Sequence, residues 1–237
     1  LATLGAGAAI LLVREERAPA VPRRSGAPAD RPADPPADPG VDIDASQRFW
    51  MNFYALSRAY TLGPFVGFLP FYFIELQVDP FLFGSVLGLF SMAAFIAAWY
   101  ANALLTRFGL PTLMVITVSS MLGSMLLFGF CEWFSVQGID YFLVGLLAVT
   151  LLGVGSGGVR PVTMANINLG RIEPRHRTLV LSRMERNFGV VNGAMLFAGG
   201  WLLARSGFPT LMLVLGISYV AVMGLLMISR RADQPQE

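Results

Sequence analysis

Six long apolar segments follow one another between residues 48 and 231, each near or above the length that spans a bilayer. They run roughly over 49 to 75, 81 to 105, 110 to 131, 141 to 166, 180 to 204 and 208 to 229. The breaks between them fall at Asp79-Pro80, Gly109 to Pro111, a turn from Glu132 to Asp140, a loop from Asn168 to Arg177, and Arg205 to Pro209. A soluble domain would not carry this much apolar surface: 14% of the 237 residues are charged and mean hydropathy is +0.61. The sequence therefore predicts an all-α membrane protein built as a six-helix transmembrane bundle over residues 48–231.

Before the bundle the composition changes twice. Residues 1–13 are apolar but too short to span, and the basic pair Arg14 and Arg17 follows them instead of preceding them as in a signal peptide. They read as the end of a preceding transmembrane helix. Residues 14–47 are rich in Pro, Ala, Asp and Arg, cannot bury apolar area, and read as a disordered cytoplasmic linker. Residues 232–237 form a short cytoplasmic tail.

Orientation follows from the arginines, since every Lys or Arg in the chain is Arg. Arg14, Arg17, Arg23, Arg24, Arg31 and Arg48 precede the first span, Arg107 follows the second, Arg171, Arg175, Arg177, Arg183 and Arg186 lie between the fourth and fifth, and Arg230 and Arg231 follow the sixth. Alternate turns carry Glu75, Asp79, Glu132 and Asp140, with Arg205 as the one basic exception. Positive flanks stay inside, so both ends are expected in the cytoplasm, with a bacterial cytoplasmic membrane as the expected location.

Several residues stand out chemically. Arg58 lies about 15 Å beyond Arg48 at ~1.5 Å per residue, near the middle of its span, where a charge must face the bundle interior or a wet cavity. Arg160 stands near the inner end of the fourth span and can reach the interface. Glu185, between Arg183 and Arg186, reads as part of an interfacial charge network. Glycines four apart share a helical face at Gly63 and Gly67, Gly84 and Gly88, Gly153 and Gly157, and Gly189 and Gly193, which suits close helix packing. Pro64, Pro70 and Pro161 allow kinks. The lone Cys131 excludes an internal disulfide, His176 reads as a solvated loop residue, and no metal, cofactor, nucleic-acid or catalytic pattern is present. The expectation is a protein that is not an enzyme.

The turn Asn102 to Pro111, NALLTRFGLP, resembles the loop signature of the major facilitator superfamily at Leu104, Arg107 and Gly109, while Asn102, Thr106, Leu110 and Pro111 depart from it. A glycine-rich fourth segment ending in proline, an arginine-bearing loop, and then N-x-G-x-x-x-G resemble the fourth and fifth helices of that family's six-helix repeat. The resemblance covers about 48 to 231 and implies one six-helix half of such a transporter, with the carboxy-terminal half as the simpler assignment. It further implies a partner half elsewhere in the same protein, and a small solute carried by alternating access, driven by an ion gradient, with protons as the expected coupling ion. The first and fourth helices would line the path, which makes Arg58, Tyr54, Asn166 and Arg160 the candidates. A membrane scaffold or sensor that keeps the fold without transport is the alternative.

Overall fold

A computed structural model describes residues 45–167, 172 and 174–232, and the described segments are almost wholly helical. We number the helices α1 (Ala45–Glu75), α2 (Pro80–Gly129), α3 (Cys131–Val136), α4 (Tyr141–Ile167) and α5 (Pro174–Ala232). The expected end of an upstream helix, residues 1–13, and most of the linker lie outside the described residues. The linker's expected boundary shifts, because α1 begins at Ala45 and not at 48. The loop before the fifth segment is likewise shorter, with His176 and Arg177 already inside α5.

Two of the helices are sharply bent, and both bends have one cause. Gly109 in α2 has φ 76 and ψ 169, and Gly207 in α5 has φ 76 and ψ 171, a region that in practice only glycine occupies. Each glycine ends one helical limb, and a proline two residues later, Pro111 or Pro209, starts the next with φ already helical and no N–H to satisfy. The surrounding residues repeat: Arg107-Phe-Gly-Leu-Pro-Thr-Leu-Met114 and Arg205-Ser-Gly-Phe-Pro-Thr-Leu-Met212, 98 positions apart. The limbs 80–108 and 110–129, and 174–206 and 208–232, thus form two similar Vs. Helix α1 continues through Pro64 and Pro70, and α4 through Pro161, so the bends lie at glycines and not at these prolines.

The straight helices sit in these Vs by exchange. Helix α4 lies within α2: a Cβ on Gly153 would come 2.6 Å from the Phe90 carbonyl oxygen, one on Gly157 would strike the backbone of Ala94, and Gly155 and Gly158 meet Met121 and Thr117 on the other limb. Helix α1 lies within α5, with Gly67 against Leu196 and Phe68 against Gly199 on one limb. On the other limb Tyr72 stacks on Phe208 at 4.5 Å and Ser57 bonds Tyr219 at 3.2 Å. The chain is therefore two helix-plus-V units that trade their straight members. They meet where the second limbs cross: Tyr219 Oη donates to Met121 Sδ at 3.6 Å, and those two residues are themselves 98 positions apart.

Length and composition fit three described helices, Phe81–Gly129, Tyr141–Ile167 and His176–Ser229, to cross a membrane. Helix α1, expected as the first span, is not among them, because Asn52, Ser57, Arg58 and Thr61 dilute its apolarity. Its composition is that of a helix surrounded by protein. Phe53, Tyr54, Ala55, Leu56, Ala59 and Leu69 are all buried, as are Ser57 and Thr61. The expected turn between Glu132 and Asp140 carries the short helix α3, closed by Gly138 at φ 81.

The four glycine pairs diverge in the structure. Gly153 and Gly157 touch α2, and Gly63 and Gly67 touch α5, but Gly84, Gly88, Gly189 and Gly193 have no heavy atom within 4 Å of a would-be Cβ among the described residues. Gly157→Ala is thus expected to lower stability by about 1–3 kcal/mol through overpacking against backbone that cannot yield. Gly84→Ala, with open space, should be neutral or slightly stabilising. Thermal unfolding of both variants in one detergent checks the contrast; equal effects would refute the α4–α2 contact as drawn.

Candidate functional site

A connected set of polar side chains gathers where α1 meets the first limb of α5. Tyr54 and Arg58 stand one turn apart on α1, and Glu185 and Phe188 one turn apart on α5. Arg58 Nη1 donates to both Glu185 oxygens, at 2.9 and 3.2 Å, and to the Tyr54 hydroxyl. Tyr54 in turn donates to Glu185 Oε1 at 2.8 Å, which closes a three-membered network. The guanidinium carbon lies 4.7 Å from the Phe188 ring centre and 5.4 Å from that of Tyr54, within cation–π range of both. Side-chain exposure is 35% for Arg58 and 56% for Glu185, so the network opens on one side.

The distance of the pair from the acidic turns can be read along the two helices. Glu75 follows Arg58 by 17 residues, a rise of about 25 Å, and Arg205 follows Glu185 by 20, about 30 Å. Those rises approach the full thickness of a hydrocarbon core, about 30 Å. Along α1 itself, Arg58 stands 13 residues after Ala45 and 17 before Glu75. Glu185, expected in a network with its neighbouring arginines, reaches across to Arg58 on another helix.

Along the same seam, Asn187 donates to Asn52 at 3.3 Å, both side chains being buried. Asn192 places its Oδ1 where a Gly63 side chain would begin, 3.1 Å from that Cβ position, and among the described residues this buried oxygen has no hydrogen-bond partner. A second layer nearer Tyr219 holds Tyr60, which donates to Ser218 at 3.0 Å, and Thr61, which returns its hydroxyl to the backbone of its own helix.

Of the expected path residues, Arg58 and Tyr54 come together. Arg160 and Asn166 do not join them: Arg160 is exposed on α4, and the Asn166 amide bonds its own helix at Val162, 2.8 Å away. In the turn that resembles the family signature, Leu104 packs on the core, Arg107 lies over Phe108 at 5.3 Å, and Gly109 makes the bend. Cys131 is buried and contacts the Tyr72 hydroxyl at 3.3 Å. No group of residues suited to a metal occurs among the described residues.

Fold and composition define an α-helical protein whose long apolar helices suit a membrane. No protein family matches the chain, and neither a curated protein nor a solved structure does.

The buried amide pair gives a sharp test of the seam. Asn187→Leu alone should cost about 1–3 kcal/mol, since it strands the Asn52 amide, whereas the double variant Asn52→Leu/Asn187→Leu should recover most of that loss. A double-mutant cycle by reversible unfolding in mixed micelles measures it, and additive losses would rule out the contact.

Proposed function

We propose that the chain is one six-helix half of a secondary transporter that moves a small solute by alternating access, with the bilayer and a second helical half as its partners. The observation that carries this reading is the paired construction of the bundle. Two helix-plus-V units, related by a 98-residue repeat, point their bends at opposite ends and exchange their straight helices. Repeats of inverted topology are the construction of many transporter folds, including each six-helix half of the major facilitator superfamily.

The charge distribution supports both ends lying in the cytoplasm of a bacterial cell. The bend at Gly109 stands beside Arg107, while the ends marked by Glu75, Asp79, Glu132 and Asp140 are acidic. Exposed aromatic residues suit the two interfaces: Trp99 and Tyr100 before the arginine-rich end, and Trp133, Tyr141 and Trp201 at the other, where Arg205 lies 4.1 Å from the Trp201 ring centre. Within this scheme the Arg58–Tyr54–Glu185 network stands at the cytoplasmic mouth of the solute path.

A non-transporting scaffold or sensor is the second reading. It is favoured by Thr106, which stands where the family signature has a carboxylate and turns its hydroxyl back to the Ala103 carbonyl at 3.0 Å. Proteoliposomes of the intact protein separate the two. With an imposed proton gradient, saturable uptake or efflux of a solute from a mixed metabolite pool is expected, and Arg58→Ala should slow it at least about tenfold at equal incorporation. Flux unchanged by Arg58→Ala removes that residue's role, and no gradient-dependent flux for any solute favours the scaffold.

A further inference from the structure

The Arg58 guanidinium is only half used. It carries five N–H donors in a planar fork, yet all three of its hydrogen bonds leave from Nη1. Nε and Nη2 have no partner among the described residues. Glu185 places both oxygens on that single nitrogen, at 2.9 and 3.2 Å, which is not the parallel two-nitrogen pairing that makes arginine–carboxylate contacts strong. The better edge of the fork is open.

We propose that this edge is a binding site for a small organic carboxylate, and that Glu185, held on the neighbouring nitrogen, is the resident carboxylate that competes with the solute for Arg58. The inference rests on the transport reading and specifies its solute class. Three features of the site select this chemistry. The unused Nε–Nη2 edge matches two carboxylate oxygens with parallel N–H···O bonds. The rings of Phe188 and Tyr54 lie against the guanidinium and hold its planar fork in place. One fixed negative charge, Glu185, already offsets Arg58, so a singly charged solute meets less repulsion at the site than a phosphate dianion would.

The arrangement also explains why Arg58 is partly exposed in an otherwise apolar stretch of helix. A guanidinium with two idle nitrogens cannot face hydrocarbon cheaply, so its open side faces water at the mouth of the bundle. Tyr54 holds Glu185 through its own hydroxyl.

Benzoate is the probe, titrated into the intact protein in lipid nanodiscs and followed by calorimetry or by saturation-transfer NMR. Glu185→Gln removes the competing charge and should tighten benzoate about tenfold, a gain that misfolding cannot mimic. Arg58→Lys keeps the charge but loses the planar fork, and should weaken binding by a similar factor. Inorganic phosphate should not compete. The proposal is overturned if Glu185→Gln binds benzoate no more tightly than the unaltered protein, if Arg58→Lys binds as well, or if phosphate competes equally. Benzoate binding without any solute flux would remove the transport reading and leave this site standing. Flux of a solute that benzoate does not inhibit would do the reverse.

Discussion

The structure depends on enclosing α1. A helix that carries Asn52, Ser57, Arg58 and Thr61 cannot lie bare in hydrocarbon, where each unsatisfied polar group costs several kcal/mol. Lipid also offers no hydrophobic drive to pull helices together, so contact must come from close packing and from hydrogen bonds. The V of α5 supplies both. Its first limb brings Glu185, Asn187 and Phe188 to the polar flank of α1, and its second limb brings Phe208, Ser218 and Tyr219.

The other straight helix solves the opposite problem. Helix α4 is apolar enough to cross a membrane by composition, and it is held by shape: Gly153, Gly155, Gly157 and Gly158 leave room for the backbones and side chains of both limbs of α2. The two equivalent seams of one repeated plan are thus unlike. The α4–α2 seam is tight, with the buried Thr117 and Thr163 hydroxyls bonded back to their own helices, whereas the α1–α5 seam carries the Arg58–Glu185 pair and an unpartnered Asn192 oxygen. Chemistry is concentrated at the second seam.

Much of this was legible in the sequence, and the limits have physical causes. Segment ends could be read because glycine, proline and charge interrupt apolar runs, and the limbs 80–108, 110–129, 174–206 and 208–232 fall within a few residues of the expected segments, except that α5 starts six residues early. Arg58 stood out because a charge in an apolar run needs a reason. Its partner could not be read, since Glu185 is 127 positions away and looked satisfied by the arginines beside it. Spacing four apart marks a shared helix face but not what that face meets, so Gly157 and Gly193 looked alike although only the first is in contact. The repeat R-x-G-x-P-T-L-M was visible in the chain and would have revealed the two Vs; what it could not reveal is that each straight helix belongs to the V of the other unit.

That exchange has a consequence for how the chain is made. Helix α1 is synthesised first, but the limbs that cover its polar flank come more than a hundred residues later, at 174–206 and 208–232. Until then Arg58 has only Tyr54 of its own helix, and Asn52 lacks Asn187. A nascent chain must therefore shelter α1 during the whole synthesis of α2 and α4, by holding it at the interface, against other helices, or within the insertion machinery. The native enclosure of α1 is therefore complete only once α5 has been made.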